Sequence, residues 1–432
     1  MDSKLFWIIR QSLKKVWVRV VGFAVFAVLV VALAPLLARW VPTQFGLGLG
    51  SVPVGEILTI LASSMLAVTT FSLSIAVSAF AAAAGNATPR AAALLQEDPT
   101  TQNVLATFLG AFLFSLIGLI ALRTEFFDRS TQVFLFLATL VVVTLVVVAL
   151  VRWISHLMNF GRMNDTLDRV EKAAARSLEE RLTNPYLGGT PLHDAIPEDA
   201  LPIASSVTGY IQHIDVKALA ECARELDAEI YLAALPGSFV HEAAPLLWVR
   251  VPKVRDSRLN EEQTDALRDG FTLGAERSFD QDPRFGLIVL SEIASRALSP
   301  GVNDPGTAIS AIGRLVRVLS CWVERTSPAV EHPAVHVPPV QSADMLYDAF
   351  RPIARDGAAL VEVQTRLHKA LDALSRISPA AFGPAAAALS AYSLERSTAA
   401  GVSESERRAL EDVVVGSGGK QKPESHRQNP TL

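Results

Sequence analysis

Four polar or charged residues in the second half of the sequence could form a ligand site or a subunit contact: Asp282, Arg296, Asn303 and Asp304. Asp282 and Asp304 each precede a proline, which is typical of a helix N-cap followed by proline at the first helical position. The N–H groups that begin a helix can bind an anion. The alternative is a capped helix–loop–helix corner in which Arg296 pairs with Asp304 or Glu292. Because the Asp304 carboxylate would itself accept these N–H groups, the residues favour the corner.

Hydroxyl-bearing and small side chains form a stripe on the second of four long apolar segments. At about 100° per residue they fall within about a third of the helix circumference. The members are Thr59, Ser63, Ala67, Thr70, Ser74, Ser78 and Ala81. Such a stripe is typical of close helix packing in lipid and also of the wall of a water-filled path. Thr59, Ser63, Thr70, Ser74 and Ser78 are therefore candidates for either role.

The remaining reactive side chains do not predict catalysis or metal binding. His332 and His336 are four residues apart, but the prolines around them disfavour the helix that would bring them together. Ser238 lacks the Gly-x-Ser-x-Gly spacing of a nucleophile elbow. Cys222 and Cys321 form neither a disulfide framework nor a metal cluster, and they fit a reducing compartment. We expect no enzyme activity, no cofactor and no metal.

Composition divides the chain near residue 155. Hydrophobic residues make up 50% of the sequence and charged residues 19%, which is too apolar for an ordinary cytosolic enzyme. Residues 1–155 contain ten basic and six acidic residues, whereas all eight histidines and both cysteines lie beyond them. Since the formal net charge is −4, the second part carries −8. This excess of acid excludes nucleic-acid binding and indicates a membrane protein with a soluble half.

The apolar segments predict four transmembrane helices, because each is about as long as a bilayer core requires. They are Val20–Leu37, Ile57–Ala84, Val104–Leu122 and Gln132–Val151. The first could be a cleaved signal peptide, but its length and Pro35 favour a span. Basic residues cluster before the first segment and after the fourth. We therefore expect a protein of the bacterial inner membrane with both termini in the cytoplasm.

The four segments contain no ionisable side chain. Proton relays, voltage sensors and most ion-coupled transporters need such groups at membrane depth, so these classes are excluded. The leading hypothesis is a homo-oligomeric channel or pore with a cytoplasmic regulatory domain. The alternative is a non-transporting scaffold or sensor whose cytoplasmic domain binds a partner or a small ligand.

The fold class expected is a membrane α-helical domain followed by a cytoplasmic α+β domain. We expect the four-helix domain at 1–155, a helical stalk and linker at 156–200 whose stalk continues the fourth span, and a small α/β module at 201–255. A mainly helical domain at 256–415 and a disordered tail at 416–432 follow. Asp215, Asp344 and Ser403 are predicted helix caps, and Pro236-Gly237 is a predicted turn between strands.

The stretch Arg296–Ala308, which contains Ser299-Pro300-Gly301-Val302-Asn303-Asp304-Pro305, resembles the signature of a bacterial family of predicted membrane proteins, domain of unknown function 2254. Three shorter stretches are also similar to this family: Gln281-Asp282-Pro283, Gly209-Tyr210-Ile211-Gln212 with Asp215, and Thr88-Pro89-Arg90. The resemblance covers nearly the whole chain. It implies four spans and a cytoplasmic domain, and it implies no particular activity.

Overall fold

The computed structural model describes residues 16–37, 54–96, 98–123, 129–158, 160–251, 259–322 and 329–414. The chain divides into two compact units, Met1–Arg169 and Val170–Leu432. The glycine-rich stretch 46–50, between the first two apolar segments, and the expected tail at 416–432 lie outside the described residues.

The described secondary-structure elements of the first unit are all helices. Its helices are α1 (Val16–Leu37), α2 (Val54–Asn86), α3 (Pro89–Gln96), α4 (Pro99–Leu122) and α5 (Arg129–Leu157). Among the described residues, three helices are long and apolar enough to cross a membrane, at Val54–Gly85, Pro99–Leu122 and Gln132–Leu157. In α1 the apolar stretch is shorter, Val20–Leu33. The second, third and fourth predicted segments are thus confirmed as candidate spans, and the first meets the criterion only in part.

α4 lies at the centre of the first unit. Its Phe108 is fully buried, as are Leu58 of α2 and Leu135 of α5, and the three belong to one apolar core. A Cβ atom on Gly118 of α4 would come within 3.0 Å of the Leu58 side chain. The missing side chain therefore lets α2 and α4 pack closely, as small residues do between membrane helices.

The expected continuous helix after the fourth span is not observed. α5 ends at Leu157, and α6 (Met163–Thr183) begins only after a turn. Gly161 in this turn has φ +76°, a left-handed conformation that glycine adopts without steric cost. A Cβ atom there would also come within 3.3 Å of the Ala79 Cα. The helical hydrophobicity pattern continues through this point, but the left-handed backbone conformation at Gly161 interrupts the helix.

The second unit contains two β-sheets in its described residues. The strands are β1 (Gly189–Pro191), β2 (Leu201–Ala204), β3 (Gly209–Ile214), β4 (Glu229–Leu232), β5 (Phe239–Val240), β6 (Pro245–Arg250), β7 (Phe271–Gly274) and β8 (His332–Val337). The five-stranded sheet has the order β1-β8-β4-β6-β2, and the three-stranded sheet has the order β5-β3-β7. β8 pairs in parallel with both β1 and β4, while the other pairs are antiparallel.

Helices form the rest of the second unit. They are α7 (Val216–Glu225), α8 (Glu261–Asp269), α9 (Phe285–Ala297), α10 (Pro305–Leu319), α11 (Ser342–Asp356), α12 (Val361–Ile377), α13 (Pro379–Ala399) and α14 (Glu404–Glu411). The caps predicted at Asp215 and Ser403 are confirmed. The cap predicted at Asp344 is wrong, because α11 begins at Ser342 and its cap position, Gln341, lies three residues before Asp344 and makes no side-chain cap hydrogen bond.

His368 gives the second unit a predicted sensitivity to mild acid. The residue is fully buried on α12, and its Nδ1 lies 2.8 Å from the Ser390 hydroxyl oxygen of α13. Burial lowers the pKa of His368 to about 4 from an ordinary value of 6.5. The unfolded chain therefore binds this proton at a higher pH than the folded chain does. The stabilisation is complete above about pH 6.5 and is lost as the pH falls toward 4.

We expect the free energy of unfolding to fall by up to about 1.4 kcal/mol per pH unit in this window from His368 alone. Equilibrium unfolding of the wild type and of His368→Gln at several pH values measures the difference. The exposed His241 provides the control variant, His241→Gln. An unchanged pH dependence in His368→Gln would contradict the assignment.

Candidate functional site

The hydroxyl stripe of α2 lies on the outside of the described helices. Thr59, Ser63, Thr70, Ser74 and Ser78 are all exposed. The buried positions of α2 include Leu58, Leu61, Met65, Ser72 and Ala76, which lie on the opposite side of the helix at about 100° per residue. One copy of the chain therefore does not use the stripe to pack its own described helices.

Most of these hydroxyl groups bond to their own helix. Thr59, Thr70 and Ser78 each donate to the carbonyl oxygen four residues earlier, over 2.8 to 3.0 Å. Ser63 donates to the carbonyl of Ile60 over 3.1 Å. This pattern satisfies the hydroxyl hydrogens and leaves the oxygens able to accept, so the stripe presents weak acceptors and no charge.

A buried ionic cluster lies where α4 begins. The Asp98 side chain is 5% exposed, and its Oδ1 lies 2.5 Å from Nη1 of Arg169. Its Oδ2 accepts from the backbone N–H of Thr101 over 2.6 Å and lies 3.1 Å from Nε2 of His156. Arg169 also donates to Asp165 over 2.9 Å. Asp98 thereby joins the N-terminus of α4, the end of α5 and the start of α6 within the first unit.

The electrostatics of the cluster favour an ionised Asp98. Burial raises the pKa of Asp98, but hydrogen bonds from His156, Thr101 and Arg169 outweigh burial and hold this pKa well below its ordinary value. Sequence reasoning did not identify Asp98. A signal was present, because Asp98-Pro99-Thr100-Thr101 repeats the Asp-Pro-x-Thr pattern of Asp304-Pro305-Gly306-Thr307.

A cavity of about 740 Å³ adjoins this cluster. Thr100, Asn103 and Thr107 line it from α4, and Arg152 and Ser155 line it from α5. Apolar residues, among them Val104 and Leu145, complete the wall. The first unit thus has a recess of mixed polar and apolar lining at the same end as Asp98, in addition to the exposed stripe of α2.

The structure places Arg296, Asn303 and Asp304 at an exposed corner between α9 and α10. Asp304 caps α10, since its Oδ1 accepts from the backbone N–H of Thr307 over 3.0 Å and its Oδ2 accepts from the Thr307 hydroxyl over 2.6 Å. These two bonds lower the pKa of Asp304. Asn303 has φ +50°, a left-handed conformation that asparagine tolerates better than most residues. The cap-plus-proline start of α10 is confirmed.

Asp282 lies at the other end of α9, about 20 Å along the helix from Arg296. The structure therefore does not bring Asp282 together with the corner residues. Its Oδ2 accepts from Nε of Arg277 over 2.8 Å and from Nη2 over 2.6 Å. Its Oδ1 accepts from the backbone N–H groups of Arg284 and Phe285 over 3.1 and 3.2 Å. The predicted cap-plus-proline start at Asp282 is wrong, because α9 begins at Phe285 and Arg284 occupies the N-cap position. Asp282 instead accepts from the N–H groups just before and at the start of the helix, and it pairs with the guanidinium of Arg277.

A cavity of about 370 Å³ opens beside Asp282. Gly237 forms part of its wall and has φ +91°. A Cβ atom on Gly237 would lie 2.6 Å from Cγ of Asp282 and 2.8 Å from Nη2 of Arg277, so only glycine fits. The predicted turn at Pro236-Gly237 therefore brings the backbone against the Arg277–Asp282 pair.

Two further arginines line this cavity. Arg181 at the end of α6 is 3% exposed. Arg284 is at the rim, where it donates to Asp344 over 2.9 Å and to Asp348 over 2.6 Å. Sequence reasoning did not identify Arg181 or Arg277 as site residues, since their partners lie far apart along the chain or within an irregular loop.

His332 and His336 do not lie on a helix, as the prolines around them predicted. Both residues lie on β8, where four residues span about 13 Å. The His336 ring stacks on Tyr231 of β4 with ring centres 4.5 Å apart. Among the described residues, no three His, Cys, Asp or Glu side chains come together in a way that could hold a metal ion.

These features define a membrane protein with several apolar N-terminal helices and a mixed domain of helices and strands. Residues 14–373 match the model of a family described as "Predicted membrane protein (DUF2254)", and the chain belongs to this family.

Uncharacterized proteins of Mycobacterium tuberculosis and Mycobacterium bovis are each 27% identical to this chain over 237 residues. The matched region covers 54% of this chain and 45% of each relative, so the chain spans about half the length of these relatives. No solved structure matches the chain.

Proposed function

We propose that the protein is a homo-oligomeric channel or pore of the bacterial inner membrane, with both termini in the cytoplasm and a regulatory cytoplasmic domain. The outward-facing stripe of α2 is the observation that carries this proposal. From Thr59 to Ser78 the stripe runs about 29 Å at 1.5 Å per residue, which matches the ~30 Å hydrocarbon core of a bilayer.

In a symmetric oligomer, the outward-facing stripe of α2 can line the path or pack against a neighbouring copy. In a cyclic oligomer every copy turns the same face toward its neighbours or toward the axis. Small and hydroxyl side chains let helices approach closely there, and their oxygens can accept hydrogen bonds from water. The stretches 57–84, 104–122 and 132–151 contain no ionisable residue, which fits a path of weak selectivity.

Planar-bilayer recording of the purified, reconstituted protein tests conduction directly. We expect unitary currents in symmetric salt, and weak discrimination among small ions in a salt gradient. Silence across voltage, membrane tension and osmotic gradients would overturn the proposal.

A bulky side chain on the stripe should obstruct the path. We expect Ser74→Trp to reduce unitary conductance at least about tenfold, because an indole would fill a channel that a hydroxymethyl group only lines. Leu73→Trp is the matched control, since Leu73 is 51% exposed but lies about 100° away around α2. Light scattering of both variants checks the subunit number. Equal currents in both variants with an intact oligomer would contradict a pore-lining role for Ser74.

The second candidate function is a non-transporting scaffold or sensor that binds a partner or a small ligand. The arginine-lined cavity beside Asp282 favours it, because such a cavity suits a ligand whether or not the membrane unit conducts. Silent bilayers combined with ligand binding at this cavity would favour the sensor over the channel.

A further inference from the structure

Arg181 is a buried cation whose ionic partner is not supplied by the described residues. Its Nη2 donates to the carbonyl oxygen of Gln281 over 3.1 Å, and its Nη1 lies 3.5 Å from the carbonyl oxygen of Pro185. No carboxylate of the described chain lies within 4 Å of its guanidinium. Burying a charge without an opposite charge beside it is strongly unfavourable.

The nearest stabilising carboxylate is already occupied. Asp282 attracts the charge of Arg181, but both of its oxygens accept hydrogen bonds from Arg277 and from the first N–H groups of α9. Burial accordingly outweighs this attraction and lowers the pKa of Arg181 to about 10. The Arg277–Asp282 ion pair is neutral, so Arg181 leaves one excess positive charge beside it at the cavity wall.

α11 adds a second electropositive group to the same cavity. Gln341, at the N-cap position of this 15-residue helix, and Asp344, in its first turn, both line the cavity. The Asp344 carboxylate is paired with Arg284. The first N–H groups of a helix have no partner within the helix. No side-chain cap satisfies them here. A helix N-terminus of this kind attracts negative charge.

We propose that the cavity beside Asp282 binds a small molecule through an oxyanion group, a phosphate or a carboxylate, with Arg181 as its ionic partner. The start of α11 provides N–H donors, and Asp282 orients Arg277 at the floor. A volume of about 370 Å³ lies within the size range of small-molecule sites and holds more than the oxyanion alone. Arg284 is already paired with Asp344 and Asp348, and it stays at the rim.

Thermal unfolding of the full-length protein in detergent tests the proposal, with inorganic phosphate, acetate or chloride at constant ionic strength. We expect a saturable rise in Tm of about 2–4 °C or more with phosphate or acetate relative to chloride. The anion that acts at the lower concentration identifies the oxyanion class. No stabilisation by either anion would overturn the proposal. Because anion binding is measured without a membrane, its failure would not bear on the channel proposal, and silent bilayers would not bear on the anion site.

Arg181→Gln should remove the response to the anion, whereas Arg176→Gln should keep it. Arg176 provides the matched control because it lies on the same helix, is 60% exposed and pairs with Glu180. If Arg181→Gln does not fold, Gln341→Asp replaces it. This change caps α11 and places a carboxylate at the cavity, so it should raise Tm in chloride and weaken anion binding at least about tenfold. The assignment would be refuted if the anion raised the Tm of Arg181→Gln as much as that of the wild type. It would also be refuted if Gln341→Asp bound the anion as tightly as the wild type.

Discussion

Replacing Asp98 with asparagine is expected to lower the free energy of unfolding by about 3 kcal/mol. The change removes the charge that pairs with Arg169, whose side chain is only 19% exposed. It also weakens the acceptor for His156 and for the N–H of Thr101. Without the Asp98 charge, the mostly buried Arg169 keeps only the more exposed Asp165 as its ionic partner, which explains the size of the effect. Chemical unfolding in mixed detergent micelles measures it.

Asp165→Asn is the matched control for this prediction. Asp165 contacts the same arginine through Nε over 2.9 Å, but it is 21% exposed and caps no membrane helix. We expect it to cost about 1 kcal/mol or less. If Asp98→Asn and Asp165→Asn lowered the free energy of unfolding equally, Asp98 would not be the centre of the cluster.

The pH dependence adds a second test of Asp98. Its folded pKa lies below the ordinary value of 3.8, so the unfolded chain binds the proton first as the pH falls. The stabilisation is therefore complete above about pH 5 and decreases at lower pH. We expect the difference between wild type and Asp98→Asn to be constant near neutrality and to shrink as the pH falls through 4. A difference that grows in acid would contradict the ionised state.

Gly286→Ala should destabilise the second unit by about 2–3 kcal/mol, although it adds a single methyl group. Gly286 of α9 faces Ala174 of α6, and a Cβ atom there would lie 2.6 Å from the Ala174 Cα and 3.1 Å from its backbone nitrogen. Backbone atoms cannot turn aside as a flexible side chain can, so one of the two helices must shift. Equilibrium unfolding in denaturant measures the loss.

Gly313→Ala provides the same chemical change without the steric conflict. Gly313 lies within α10, and a Cβ atom there would meet only the ends of the Arg366 and Arg317 side chains, at 3.7 and 4.0 Å. Because alanine is a better helix former than glycine, this variant should gain about 0.5–1 kcal/mol. If both glycine substitutions changed the free energy of unfolding in the same direction, close packing of α6 and α9 would not explain the effect of Gly286→Ala.

The apolar segments and the helix caps were predictable because their signals are local. A long uncharged run identifies each candidate span, and one side chain three residues before its N–H partner identifies each cap at Asp215, Asp304 and Ser403. Hydrophobic periodicity did not locate the end of α5. A single glycine conformation at Gly161 determines that break, and the surrounding pattern remains helical.

The parallel pair β1–β8 at one side of the large sheet was harder to predict. β1 and β8 contain prolines and little apolar alternation, and their pairing joins residues about 140 apart along the chain. β8 is nevertheless stabilised in the sheet by its neighbours, with Val335 and Val337 fully buried. Non-local pairing of this kind overrides local propensity.

The candidate sites were predictable only in part, for the same reason. Asp282 could be selected from its cap-plus-proline pattern. Arg181 could not, because it meets the carbonyl of Gln281 across 100 residues of sequence. The stripe of α2 was visible as a spacing, but only the fold shows that it faces away from Leu58 and Met65.

Cysteine accessibility during bilayer recording is the measurement that tests the channel proposal most directly. Ser74→Cys and Leu73→Cys are compared in a background where Cys222 and Cys321 are replaced by serine, so that only the introduced thiol reacts. If the α2 stripe lines the path, a charged methanethiosulfonate reagent added to the bath blocks the current of Ser74→Cys and leaves that of Leu73→Cys unchanged. Unblocked current through Ser74→Cys, or equal block of both variants, would contradict the account.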